Sequence, residues 1–155
     1  MKKQYRNKPT KFSYKDVTNL IDTRLKGLVF LTGRARRSLK KAEYHDPQFV
    51  WRTVEFLATY YPKMRKGLIT KEEFLRRCRE LGLDYQLAST DVSAGMQRKK
   101  YFTDYNGNQR RLEFHLTKGS AKEPRKCLRI YFFWDEDNEL VVIGHLPDHL
   151  DNSKS

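Results

Sequence analysis

The segment Cys127-Leu-Arg-Ile-Tyr-Phe-Phe-Trp134 constrains the fold more than any other part of the chain. It is apolar at both alternating sets of positions except for Arg129, so as an extended strand it must be covered on both faces. Such a strand sits in the middle of a sheet, and the rest of the chain must supply its neighbours and its covers. Arg110 to Thr117 alternates, with Leu112, Phe114 and Leu116 facing one way and Arg111, Glu113 and His115 the other. Asp135-Glu-Asp-Asn138 turns the chain into a returning strand, Glu139-Leu-Val-Val-Ile-Gly-His145. Upstream, Lys100 to Tyr105 runs into Asn106-Gly107, a tight-hairpin dipeptide because both turn positions take positive φ. Residues 83–98 are polar and weakly periodic, which reads as a loop.

The first half of the chain has a different period. Val17, Leu20, Ile21 and Leu25 recur at helical spacing between Ser13 and Gly27. Leu28-Val-Phe-Leu31 is a short apolar run suited to a strand, and Thr32 is placed to cap the basic segment that follows. Asp46-Pro47 is a second helix start, because aspartate accepts from the first free N–H groups and proline at the first position loses no bond. Its apolar stripe of Val50, Val54, Leu57, Ala58 and Tyr61 predicts a helix ending at Pro62. Thr70-Lys-Glu-Glu73 has the form of a capping box, with Phe74, Leu75, Cys78 and Leu81 behind it and Gly82 as the stop. The expected fold class is α+β, with helices packed on one face of a mostly antiparallel sheet of four to five strands.

A length of 155 residues suits one core: a single domain over 13–150, a basic arm at 1–12 and a short tail at 151–155. The formal charge is +13 and unevenly spread, with a balance of +18 over residues 1–130 and −5 over residues 131–155. An excess of that size points to a polyanionic partner. Its densest runs are Arg34, Arg36, Arg37, Lys40 and Lys41 in one predicted helix, and the loop at 118–126 with Arg125 and Lys126. These are the candidate phosphate contacts. Cys78 and Cys127 form no Cys-x-x-Cys pair, which argues against a disulfide framework or zinc ribbon and for a reducing cytoplasm. No apolar run approaches membrane-spanning length, so no membrane partner is expected.

The block RRLEFHLTKGSAKEPRKCLRIYFFWDEDNELVVIGHLPDHL, Arg110 to Leu150, resembles the RelE/ParE toxin superfamily in its order of strand, basic loop, L-R-I-Y strand, acidic turn and final strand. LVFL stands where that family's first strand lies and residues 33–61 where its helical hairpin lies, so the resemblance covers about residues 26 to 150. It leaves 65–98 as a helical insertion and implies a RelE-like fold. Most members are metal-independent endoribonucleases that cut messenger RNA on the ribosome, and one branch poisons gyrase. Members usually have an acidic antitoxin partner. Carried over by position, the resemblance marks Arg111, His115, Lys118, Arg129 and His145 as catalytic candidates, with His149 near the same end and no cofactor or metal. The chemistry is consistent with those residue types: imidazole moves the protons of a 2′-hydroxyl attack, and arginine or lysine holds the charge gathering on phosphorus.

The same residues carry plainer readings. Arg129 could pair with Glu113 or Asp135, His115 could be an ordinary surface residue, and Tyr131, Phe133 and Trp134 could be core rather than base-stacking aromatics. His145-x-x-x-His149 has a helical zinc spacing, but Pro147 opposes a helix there. Function therefore stands between an RNA-cleaving toxin-like protein, a non-catalytic nucleic-acid- or partner-binding protein of the same fold, and a gyrase inhibitor. Charge alone does not separate RNA from DNA.

Overall fold

A computed structural model of the chain describes residues 11–88, 100–119 and 123–150. The elements run α1 (Tyr14–Arg24), β1 (Val29–Leu31), α2 (Gly33–Lys40), α3 (Pro47–Arg65), α4 (Lys71–Glu80), β2 (Asp84–Leu87), β3 (Phe102–Tyr105), β4 (Asn108–Arg111), β5 (Phe114–Lys118), β6 (Leu128–Asp135) and β7 (Leu140–His145). A 3₁₀ turn, Pro124–Lys126, leads into β6. Five strands form the main sheet in the order β1-β7-β6-β5-β2, antiparallel except for the parallel β1–β7 pair, while β3 and β4 make a separate hairpin. The fold is thus α+β with a mostly antiparallel sheet. Most of the basic arm and the tail at 151–155 lie outside the described residues, but Phe12 at the arm's end packs against the core.

Local chemistry accounts for the helix starts. Thr32, Asp46 and Thr70 each accept a hydrogen bond from the N–H three residues on, at 3.1, 3.0 and 3.0 Å. Ser13 and Asp16 form a full reciprocal capping box ahead of α1. Glu73 does not close the box expected at Thr70, because its carboxylate is held by Arg76 and Arg77. The hairpin turn has φ of 50° at Asn106 and 80° at Gly107, as its dipeptide requires.

Three expectations are corrected. α3 does not stop at Pro62 but continues to Arg65, since Tyr61 and Pro62 are both buried and the Lys66 and Leu68 N–H groups bond back to Pro62 and Lys63. Residues 83–98 are not all loop: Asp84–Leu87 is an edge strand paired with β5. The single strand expected over Arg110–Thr117 breaks at Leu112-Glu113, so that β4 belongs to the hairpin and β5 to the main sheet. Within the segment 65–98, of which 89–98 lie outside the described residues, Phe74, Cys78 and Leu83 are buried in the main core.

That core lies between the helices and one face of the sheet, and Tyr61 is its hub. Its ring is fully buried, with the rings of Phe74, Tyr85, Phe114, Phe132 and Trp134 centred 5.1 to 6.2 Å away, and its hydroxyl meets Tyr85 Oη at 2.8 Å. Denaturant unfolding should show Tyr61→Ala losing about 3–5 kcal/mol, the cost of emptying a closed aromatic site. Tyr61→Phe should lose only about 1 kcal/mol, one hydrogen bond. Phe74→Ala should cost as much as Tyr61→Ala; a near-neutral result would mean that α4 is dispensable after all.

Candidate functional site

The odd-numbered side of β6 faces away from the helices. Arg129, Tyr131 and Phe133 project there, and a second apolar cluster of Ala88, Tyr105, Leu112, Tyr131, Phe133, Val142 and Leu150 covers much of that face. Two departures from regular strand geometry shape it, and the second brings a second histidine onto it. The break at Leu112-Glu113 lets Leu112 pack in this second cluster while Leu116 packs in the main one, so β5 starts afresh with His115 opposite Tyr131. In β7 the register slips: Tyr131 pairs with His145 but Phe132 with Ile143, leaving Gly144 as a bulge. Val141 and Ile143 point to the helices, and the extra residue turns His145 to the other side, beside Tyr131. A methyl group on Gly144 would press into the buried Leu112 side chain, which would have to shift to admit it.

His115, Tyr131 and His145 therefore form a row across three strands, with ring centroids 5.3 and 6.0 Å apart. Both imidazoles are half-buried, and among the described residues no side-chain hydrogen bond reaches either nitrogen of either ring. Burial pushes His115 down to about 4, helped by Arg129 and His149; burial does the same for His145, helped by Arg34 and His149 and opposed by the nearby Asp148 backbone. Both are neutral near pH 7. Tyr131, buried, is raised to about 12 and keeps its proton, while its oxygen accepts from the Leu150 N–H at 3.3 Å. Arg129 donates to the Gly119 and Leu128 carbonyls, each at 3.0 Å, in place of the expected pairing with Glu113 or Asp135.

The remaining predicted residues separate. Lys118 follows Leu116 in alternation and lies on the helix side, where its ammonium reaches the Leu81 carbonyl at the end of α4 and sits 5.2 Å from the Phe49 ring centre. It does not join the row. Arg111 is half-buried in the hairpin, opposite Phe102 in the β3–β4 pairing. The cations of α2 do not form one phosphate face. Arg36 is held by Asp22 of α1 through two bonds, at 2.7 and 3.0 Å, and Lys40 lies against α1 near Tyr14 and Thr18. Arg34 points the other way, donating to the Phe102 carbonyl at 2.6 Å and lying close enough to disfavour a charge on His145. Arg37 and Lys41 are exposed. Arg125 and Lys126 are exposed on the 3₁₀ turn, which is tied to the α2–α3 loop because the Arg125 carbonyl accepts from His45 N at 3.1 Å and contacts His45 Nδ1 at 2.7 Å.

The sequence reading underrated Tyr131, taking it for a core aromatic; only the cross-strand register places it between two histidines. Among the described residues no three His, Cys, Asp or Glu side chains converge as metal ligands, and no helix is long and apolar enough to cross a membrane.

The depressed imidazoles fix a pH signature. Each folded-state pKa of about 4 lies below the ordinary 6.5, so the folded chain binds fewer protons than the unfolded chain between those values. Stability must therefore fall as pH drops from about 6.5 to about 4 and level off below. Denaturant titrations at both ends of that window should show His115→Gln/His145→Gln losing less than wild type, by on the order of 1–2 kcal/mol for each imidazole after screening. Equal losses would mean that the rings are solvated. Gly144→Ala should cost about 1–3 kcal/mol by overpacking Leu112.

Searches against protein-family models, curated proteins and solved structures find no match to this chain.

Proposed function

We propose that the chain is an RNA-directed protein with a RelE-like fold, acting on messenger RNA in translation as a metal-independent endoribonuclease. The observation that carries the reading is the row of two neutral imidazoles around a protonated tyrosine, on one sheet face beside Arg129 and Arg34. The order of elements supports the fold assignment: β1, then helices α2 to α4, and, after β2 and the β3–β4 hairpin, a meander β5-β6-β7 whose last member returns beside β1. The net charge of +13, with Arg37 and Lys41 exposed on α2, suits a phosphate backbone.

The chemistry follows from the environment. A neutral imidazole accepts the proton of the 2′-hydroxyl as its oxygen attacks phosphorus. The second imidazole, once protonated, donates to the departing 5′-oxygen, giving a 2′,3′-cyclic phosphate and a 5′-hydroxyl. An imidazole held near 4 is a weak base in the empty protein, and the approaching phosphodiester charge raises it toward the useful range. Arg129 and Arg34 offset the charge that builds on the phosphorane oxygens. An acidic protein partner covering the same face, in a cytoplasmic setting, belongs to this proposal. Burial of both rings favours one rival, a binder that keeps the fold without the chemistry.

End-labelled RNA incubated in EDTA at low salt should be cut to fragments ending in cyclic phosphate. His115→Gln and His145→Gln should each slow cleavage by about 10²–10⁴-fold, with RNA affinity changed only a few-fold. Affinity should fall steeply with salt, and Lys41→Gln should flatten the log–log slope by about 1. RNA bound but never cut would establish the binder, and gyrase inhibition that survives loss of both histidines would establish the third reading. No binding and no cleavage would remove RNA altogether.

A further inference from the structure

The residues that follow β7 lie over the imidazole row, and they are held unevenly. Up to Pro147 the anchoring is short and strong: Ser38 Oγ donates to the Leu146 carbonyl at 2.7 Å, and the Arg129 N–H donates to the Pro147 carbonyl at 2.7 Å. Beyond Pro147 the contacts lengthen. The Glu43 N–H reaches the two Asp148 carboxylate oxygens at 3.4 and 3.3 Å, and the Leu150 N–H reaches Tyr131 Oη at 3.3 Å. One apolar side chain fastens the end, Leu150, which is 3% exposed within the second cluster. Burial first, and then the facing Glu43 carboxylate, disfavour the charge on Asp148, outweighing the backbone N–H groups of Glu43 and Tyr44 that favour it.

Underneath lie four imidazole nitrogens, buried and without a side-chain partner among the described residues. Among the described residues the Asp148 backbone is the one group that hydrogen-bonds toward His145, and buried polar atoms so poorly partnered are uncommon in a finished core and are expected where a ligand is to arrive. In the conformation described, no phosphodiester can reach them.

We propose that Asp148–Leu150 is an autoinhibitory clasp, hinged at Pro147, that closes the His115–Tyr131–His145 row to phosphate and lifts to admit it. The closed and lifted states differ by one leucine anchor and a few long hydrogen bonds, a gap small enough for ligand to bridge by binding the lifted state alone. The existence of the clasp stands on these contacts; its regulatory meaning rests on the RNA reading above.

Site-resolved histidine acylation by diethyl pyrocarbonate, read by mass spectrometry, tests it. The reagent attacks neutral imidazole, and His115 and His145 are neutral at pH 7, so slow reaction there reports cover rather than charge. In the wild-type chain both should react at least about tenfold more slowly than the exposed His45. Leu150→Ser should raise both rates about tenfold while leaving His45 unchanged and the thermal transition cooperative. Should Leu150→Ser lose its cooperative transition, Asp148→Ala gives the same comparison without opening the cluster. Wild-type rates at His115 and His145 equal to that of His45 would overturn the clasp, as would unchanged rates in a folded Leu150→Ser or Asp148→Ala. Faster acylation with faster RNA cleavage supports both proposals. Faster acylation with no cleavage at all leaves the clasp standing and refutes the nuclease.

Discussion

Everything in this fold is arranged around a strand that cannot meet water on either side. From Leu128 to Asp135, β6 is buried at every position but Arg129. Its even-numbered side chains, Leu128, Ile130, Phe132 and Trp134, require one apolar cover, and Tyr131 and Phe133 require another. The helices meet the first demand. Among the described residues the second is met by a detached hairpin, with Tyr105 against Phe133, and by Leu150. Burying one aromatic side chain contributes roughly 1.5–3 kcal/mol, so neither cover is optional. The consequence for function is that the face with the most chemistry is also covered.

Regular strands would not have made that face. With strict alternation through 110–117 and through 139–145, Leu112 would share a side with Leu116, and His145 would share one with Val141 and Ile143 among the helices. The bulge puts His145 on the flank of Tyr131 opposite His115, and the break puts Leu112 on that same face. Leu112 couples the two. Freed by the break to enter the second cluster, its side chain lies against Gly144, where an added Cβ would have to displace it. The two irregularities fit each other.

What could be read from the residues alone follows the range of the interactions involved. Helix starts at Thr32, Asp46 and Thr70 were legible because a cap reaches only three residues along the chain. Asn106-Gly107 was legible because two positive φ angles are a local requirement. The edge strand Asp84–Leu87 was not, since a mostly exposed edge carries no alternation to detect. Nor was the break at Leu112-Glu113, because an alternating pattern reads straight through a change of sheet. Lys118 is a different case. The same alternation that set Leu112, Phe114 and Leu116 together assigns Lys118 to their side, and it was the resemblance, through the position of a basic loop, that set it among the catalytic candidates. α2 makes the point again: at 100° per residue, Arg36 and Lys40 must part from Arg34 and Lys41.

The charge of the chain acts on the row in a way its total conceals. Asp22 takes up Arg36, and Asp135 is occupied by Tyr105 and Asn138, so neither carboxylate serves the imidazoles. What faces them is Arg129, Arg34 and His149. A cation beside a half-buried imidazole opposes protonation just as burial does, so the two effects add rather than compete. An anion entering between them reverses both at once: it offsets the arginine field and favours a proton on the nearest ring. On the RNA reading proposed above, the proton affinity of His115 and His145 is then set by whether the face is occupied.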